Sequence, residues 1–291
     1  MINSNLPDVQ ESKPNIQIPI AQVGVQNVEV PFRLESKYGG YHQLIANVSM
    51  RTSLGPTKKG ISMSRLLLTL KNYLELPLKH ILIKQILDDV TSNIGSHSAF
   101  MKFEFRFPIK KKSPITNNVF PLYYKCRFEG QMKEILLSDQ SHSRIFKFFQ
   151  GVIIQYSSYC PCSAELCNHL KENSKSGFPH AQRSYADILI ETKEPNYVWL
   201  EDIIESVENV IRTRPYPIIK REDEMEVARI ASENPIFVED AIRLISNCLN
   251  EKIEIYDWIV KCTHEESIHT SEAIAINWKS IPDGFNGNYH I

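Results

Sequence analysis

Residues 62–108, SMSRLLLTLKNYLELPLKHILIKQILDDVTSNIGSHSAFMKFEFRFP, change their hydrophobic period part way along, and the element type changes with it. Met63, Leu66, Leu67, Leu70 and Leu74 recur at helical spacing over Ser62–Leu74, and Pro77 ends that run. Ile81, Ile83, Ile86, Leu87, Val90 and Ile94 then carry a second helix over Lys79–Ile94. Beyond it AFMKFEFRFP (99–108) alternates strictly through Met101, Phe103, Phe105 and Phe107, the period of a half-buried strand. Outward from this block, Val28–Glu35 and Leu44–Thr52 read as strands before the helices, and Pro121–Ile135 supplies a strand after them. Lys110–Lys112 between the last two strands reads as a solvated basic hairpin turn. The order is strand, strand, helix, helix, strand, strand.

The second half repeats that order. Ile145–Tyr159 and Arg183–Thr192 read as long strands, helices follow at about Val198–Thr213 and Val238–Asn250, and Lys252–Cys262 and Ser271–Trp278 close the series. The fold class expected is therefore α+β, with two tandem ββααββ modules built on antiparallel sheets. The boundary falls in the polar stretch LSDQSHSR (137–144). This divides the chain into an arm (1–20), a first module (21–140), a second module (141–280) and a polar tail (281–291).

Composition excludes several functional classes. The chain of 291 residues carries 33 Lys+Arg against 34 Asp+Glu, which argues against a general nucleic-acid binder but leaves room for a local basic pocket. Eleven glycines argue against a glycine-rich dinucleotide fold. The N-terminal residues MINSNLPDVQESKP lack a basic-then-apolar signal pattern, and no apolar run reaches the ~20 residues that span a bilayer. No membrane association and a cytoplasmic, reducing location are expected, where the six cysteines stay free to bind metal or react.

Chemistry concentrates in YCPCSAE (159–165) and PHAQRS (179–184). Cys160 and Cys162, if in a strand, point to one face, and Pro161 marks the strand's end. A thiolate and the His180 imidazole on adjacent strand ends suit a borderline metal such as Zn²⁺, but C-x-C without a second pair is no structural zinc signature, so buried structural cysteines are the competing reading. Cys126, Cys167, Cys248 and Cys262 sit in periodic apolar settings and read as core. KREDEME (220–226) is either a solvated helix start or the source of a third metal ligand. Glu239, in NPIFVED (234–240), is either a plain first-turn acid or a carboxylate that reads donors on a ligand. His269, in EESIHT (265–270), is an exposed loop histidine or a proton shuttle. KKGISMSR (58–65) places cations and free N–H groups at a helix start, an anion cradle.

Taken in order, LPDVQ (6–10), KGISMSR (59–65), YCPCSAEL (159–166), PHAQRS (179–184), KREDE (220–224), NPIFVED (234–240) and ESIH (266–269) resemble the type IB GTP cyclohydrolases, the prokaryotic branch of GTP cyclohydrolase I. The likeness runs from about residue 6 to about 278. It implies a tunnelling fold and a homotetramer with active sites at subunit interfaces. It also implies GTP as substrate, hydrolysed at C8 with loss of formate to give 7,8-dihydroneopterin triphosphate for pterin and folate synthesis. Carried onto this chain, it implies that Cys160, His180 and Glu224 hold one divalent metal (Zn, Mn or Fe) and that Glu239 anchors the guanine. Cys162 and His269 fall at the acid/base positions, and Lys59, Arg65, Gln182 and Arg183 at substrate-binding positions. The chain departs from the pattern at Ser62, where the family has His; a serine there can cap the helix. About eight extra residues around Glu172–Phe178 suggest a longer hairpin loop. Glu222 and Glu224 both flank Asp223, and the D-E ending of the motif favours Glu224. The alternative reading is a tunnelling-fold protein that binds a purine or pterin without this turnover.

Overall fold

A computed structural model describes residues 9–288. The first eight residues of the expected arm, with Leu6–Asp8 of the LPDVQ motif, and the last three of the tail lie outside the described residues. The eight strands are β1 (Ile20–Glu35), β2 (Tyr41–Leu54), β3 (Ser98–Lys112), β4 (Val119–Leu136), β5 (His142–Tyr159), β6 (Ala181–Thr192), β7 (Ile255–Glu266) and β8 (Glu272–Trp278). The helices are α1 (Met63–Lys71), α2 (His80–Ile94), α3 (Pro161–Glu172), α4 (Leu200–Ile211), α5 (Arg221–Glu233) and α6 (Val238–Asn250). The strands follow one another through a single sheet in the order β1-β2-β3-β4-β5-β6-β7-β8. The class is α+β, as expected, and no helix among the described residues is long and apolar enough to cross a membrane.

The chain divides into two compact units. One takes in the described chain as far as Phe105 together with Arg127–Phe148. There β2 pairs antiparallel with β1 and β3. Its core is aromatic: Phe105 packs edge-on against Phe32 and Phe128 at centroid distances of 5.1 and 5.2 Å, and Phe128 against Phe148 at 5.5 Å. Helix α2 buries Ile83, Ile86, Leu87, Val90 and Ile94 of the predicted stripe together with Leu82, whereas Ile81, which the spacing also placed there, is exposed. A Cβ at Gly130 on β4 would collide with Ile83 and Leu87, so only glycine lets α2 lie this close to the strand.

The other unit comprises Arg106–Cys126 and the chain from Phe149 onward. Here β7 pairs antiparallel with β6 and β8, and α4 and α6 pack on each other, with α6 also against β7 and β8. The C-terminal tail is tied down: Phe285 N donates to Asp257 Oδ2 at 2.7 Å, and the buried Phe285 ring joins Phe149, Leu189 and Ile259 in one cluster.

The second half does not run ββααββ as expected: α3 stands between β5 and β6, and three helices, α4, α5 and α6, stand between β6 and β7. Two local expectations are also corrected. Lys110–Lys112 is not a turn. The alternation of β3 runs on through Ile109 to Lys111, which is 6% exposed and donates to Glu208 Oε2 at 2.7 Å. A buried cation is held by a buried carboxylate, which also accepts from Tyr124. The hairpin turns instead at residues 113–118. Second, the Cys-Pro-Cys segment is not strand: β5 ends at Tyr159, Cys160 is the N-cap of α3, and Pro161 is its first helical residue. Proline suits that position because its missing N–H has no intrahelical partner to lose. The longer connection is thus a helix followed by a shorter loop.

Candidate active site

Several of the predicted residues of the second unit lie on or next to the ends of β5, β6 and β7. Ser158, near the end of β5, donates from Oγ to Gln182 Oε1 at 2.5 Å, near the start of β6. This bond fixes the two strand ends two residues from Cys160 on one side and two residues from His180 on the other. In the β6–β7 ladder Gln182 lies opposite Glu266, Arg183 opposite Glu265 and Ser184 opposite His264. The turn after Glu266 carries His269, exposed, with Nε2 3.6 Å from Glu266 Oε2. Glu239 occupies the first turn of α6, exposed. The loop before it is tied to the site by Ile236 N, which donates to Tyr159 O at 3.0 Å, next to Cys160.

Cys160 and Cys162 are both free thiols, the first half-buried and the second exposed. His180 is half-buried, and its Nδ1 is a buried atom with no hydrogen-bond partner. A buried imidazole nitrogen left without a partner and a free thiol are donor types that suit a metal site of N and S. The third donor is not assembled: among the described residues no group of three His, Cys, Asp or Glu side chains stands close enough to hold a metal ion. Glu224 lies exposed in the first turn of α5, as does Glu222.

The residue between those two glutamates is fixed by structure. Asp223 is fully buried and accepts from Ile115 N and Thr116 N at 2.9 Å, Thr116 Oγ1 at 2.5 Å and Lys220 N at 2.9 Å. Burial pushes its pKa upward, but these four donors outweigh it and hold the carboxyl well below the usual carboxylate range. Asp223 thus pins the start of α5 to the β3–β4 turn and leaves its neighbours facing outward.

Lys59 and Arg65 belong to the first unit. Lys59 N and Gly60 N donate to Ser12 O and Gln10 O, and the Arg65 guanidinium lies 3.7 Å from Glu11. Glu11 also lies 3.4 Å from Lys58, so the expected anion cradle carries a carboxylate of its own. Ser62 is the N-cap of α1 but makes no side-chain capping bond.

Sequence reading missed the buried polar groups beneath the site. His264, 2% exposed, contacts Tyr156 Oη at 3.0 Å through Nε2 and Ser158 Oγ at 3.2 Å through Nδ1. Burial pushes its pKa down to about 4, and the nearby Glu239 opposes that shift. The available signal was period: His264, Cys262 and Val260 share one face of β7, the buried one.

The family described as "Type I GTP cyclohydrolase folE2" matches residues 6–275. "GTP cyclohydrolase FolE2" of Cereibacter sphaeroides (strain ATCC 17029 / ATH 2.4.9) is 32% identical over 283 residues, covering 94% of this chain and 75% of that protein. The protein of the same name from Roseobacter denitrificans is 33% identical, covering 98% of this chain and 79% of its own. Among solved structures, a uricase from Bacillus fastidious has a TM-score of 0.56 at 8% identity, over 89% of this chain and 93% of that one. The urate oxidase of Bacillus sp. TB-90 has a TM-score of 0.55 at 10% identity, over 89% and 99%. At such identities these two structures speak for the fold alone, whereas the match to the first group spans nearly the whole sequence: the chain belongs to the type I GTP cyclohydrolase folE2 family.

Proposed function

We infer that this protein is a GTP cyclohydrolase of pterin and folate biosynthesis, taking GTP and water to 7,8-dihydroneopterin triphosphate and formate. The reading is carried by the family match, and it is supported by the Ser158–Gln182 bond between the strand ends that lead to Cys160 and His180 and by the Ile236–Tyr159 bond next to Cys160. Water adds at C8 of the guanine, the ring opens, C8 leaves as formate, and the opened ribose rearranges and recloses on the pyrimidine nitrogens. Glu239 accepts two parallel N–H bonds from the N1 and 2-amino edge of the base and sets its orientation. Cys162 and His269, both exposed at the site's rim, exchange protons with the ring nitrogens as bonds to C8 break. Arg183, with Lys59 and Arg65, neutralises the triphosphate.

Cys160, His180 and Glu224 would hold a divalent metal (Zn, Mn or Fe), whose Lewis acidity makes water a nucleophile near neutral pH. The likeness extends the proposal to a tunnelling-fold homotetramer of two-module subunits (21–140 and 141–280) with sites at subunit interfaces. Six free cysteines support a reducing, cytoplasmic location. A purine- or pterin-binding protein without turnover would need Glu239 but not the Cys160, His180 and Glu224 set.

The test is a metal-stripped preparation given GTP with and without Mn²⁺ or Zn²⁺, followed for formate and for fluorescent neopterin after oxidation. Metal-dependent release of both is expected. A folded protein that releases neither under any of these metals overturns the reading.

A further inference from the structure

Beneath the sheet end that carries Cys160 and His180, three buried side chains converge on the Ser158 hydroxyl and a fourth, Tyr156, joins them through His264, and their protons can be counted. Ser158 donates its single proton to Gln182 Oε1 at 2.5 Å. Its Oγ also lies 2.8 Å from Ser184 Oγ and 3.2 Å from His264 Nδ1. With the Ser158 proton committed, both of those contacts are hydrogen bonds only if Ser184 and His264 Nδ1 donate. A neutral imidazole has one N–H, so His264 Nε2 is bare and accepts from Tyr156 Oη at 3.0 Å. Every proton then runs one way, from Tyr156 through His264 and Ser158 to Gln182. Ser158 and Ser184 are 0% exposed, so no solvent molecule stands in for a missing donor at that hydroxyl. Burial supports the same assignment: it pushes His264 down to about 4 and keeps the Tyr156 phenol and the neighbouring Cys262 thiol protonated.

The consequence lies at Gln182. Its carbonyl oxygen is taken inside, so its amide nitrogen is the outward end. No group of this chain among the described residues accepts from that nitrogen, and, unlike His180 Nδ1, it is not sealed from solvent. The residue therefore offers two N–H donors and no acceptor, in an orientation its own backbone does not choose. Glu239 offers the opposite chemistry, acceptors without donors, within electrostatic reach of the same buried histidine. An oxopurine edge is the complement of that pair: donors at N1 and the 2-amino group, an acceptor at the 6-oxo position.

We propose that Gln182 selects the 6-oxo group of the purine, donating from Nε2 to O6, and that His264 and Ser158 are positioning residues that hold its amide in this sense. The proposal rests on the cyclohydrolase reading and deepens it. A site built to donate at this point discriminates against a base that accepts poorly there, because its donors are left unpaired.

The experiment pairs one substrate atom with one side chain. KM is measured in the metal-loaded enzyme for GTP and for 6-thio-GTP, which keeps N1–H and the 2-amino group but replaces O6 with a weaker acceptor. The wild type is expected to favour GTP by about 10-fold. Gln182→Met should raise KM for GTP by about the same factor and bring the preference close to unity. In parallel, a nitrogen-15 spectrum of the wild type, with His264 identified by its loss in His264→Gln, should place the proton on Nδ1. An enzyme that releases formate from GTP yet keeps its preference in Gln182→Met overturns the assignment and leaves the activity standing. An Nε2–H tautomer of His264 overturns it with no perturbed active site involved. An enzyme that releases no formate from GTP overturns both proposals together.

Discussion

Cys160 sits at a junction where a side chain can be exchanged without moving the backbone: it caps α3 with extended φ and ψ, and no side-chain capping bond is made there. Serine is common at such a position. Cys160→Ser is therefore expected to leave the thermal midpoint nearly unchanged while metal content falls below a tenth of wild type and formate release by at least ~100-fold. Metal analysis beside calorimetry checks this, and a variant with full metal content removes Cys160 from the ligand set. His264 yields a prediction of a different kind. Its pKa falls from 6.5 unfolded to about 4 folded, so between those values the unfolded chain binds more protons. Stability is accordingly highest above pH 6.5 and declines as pH falls toward 4, by on the order of 3 kcal/mol from this group. Urea unfolding of wild type and His264→Gln at pH 7.5, 6.0 and 5.0 separates this share from the carboxylates, since the variant should lose less stability over that interval. At this scale the sequence exposes motif residues such as Gln182 and Glu239 but not their supports. Tyr156, Ser158, Ser184 and His264 are brought together by strand register, and register is set by pairings that no local pattern encodes.

Among the elements, α5 is placed by one side chain. Asp223 joins its first turn to the β3–β4 turn through four hydrogen bonds to one carboxylate. The carboxyl titrates below its unfolded value of 3.8, so its stabilising effect is complete above that pH and is lost as pH falls toward the lower folded value. Asp223→Asn, which trades one acceptor oxygen for a donor, should lower the thermal midpoint by several degrees at pH 7. The deficit should shrink as pH drops below 4. It should also raise KM or weaken metal binding, because Glu224 rides on the same turn of helix. A variant with lower stability and an unaltered site would detach the anchor from function. Elements were legible where one period ruled a whole segment: α2 spans His80–Ile94 and α6 spans Val238–Asn250, close to their apolar stripes. They were misread where a charge or a proline broke the pattern. Lys111 continued the buried series of β3 because Glu208 waits across the core, a partner 97 residues away. Pro161 marked a strand's end correctly, but it opened α3, whose few buried positions leave only a faint stripe.

For the whole molecule, the strands lie in the sheet in chain order, which is why local patterns read in sequence recover the α+β class. What chain order cannot encode is which copies of the chain complete a site. The strand-end cluster supplies one cation among the predicted phosphate partners, Arg183, exposed opposite Glu265. GTP brings about four negative charges, more than one arginine neutralises, and the other candidates, Lys59 and Arg65, lie in the other compact unit. If sites form at subunit interfaces, the cations and the thiol of one site come from different copies. The Cys160→Ser and Arg65→Ala variants should each be nearly inactive. Unfolding and refolding them together at equal concentrations then produces some sites with an intact Cys160 from one copy and an intact Arg65 from the other. On random assembly about a quarter of the sites are whole, so formate release should recover to roughly that fraction of wild type. Recovery from a mixture of two inactive variants cannot arise if each subunit builds its site alone. A mixture that refolds to the wild-type mass by sedimentation and stays inactive would place both residues on one chain.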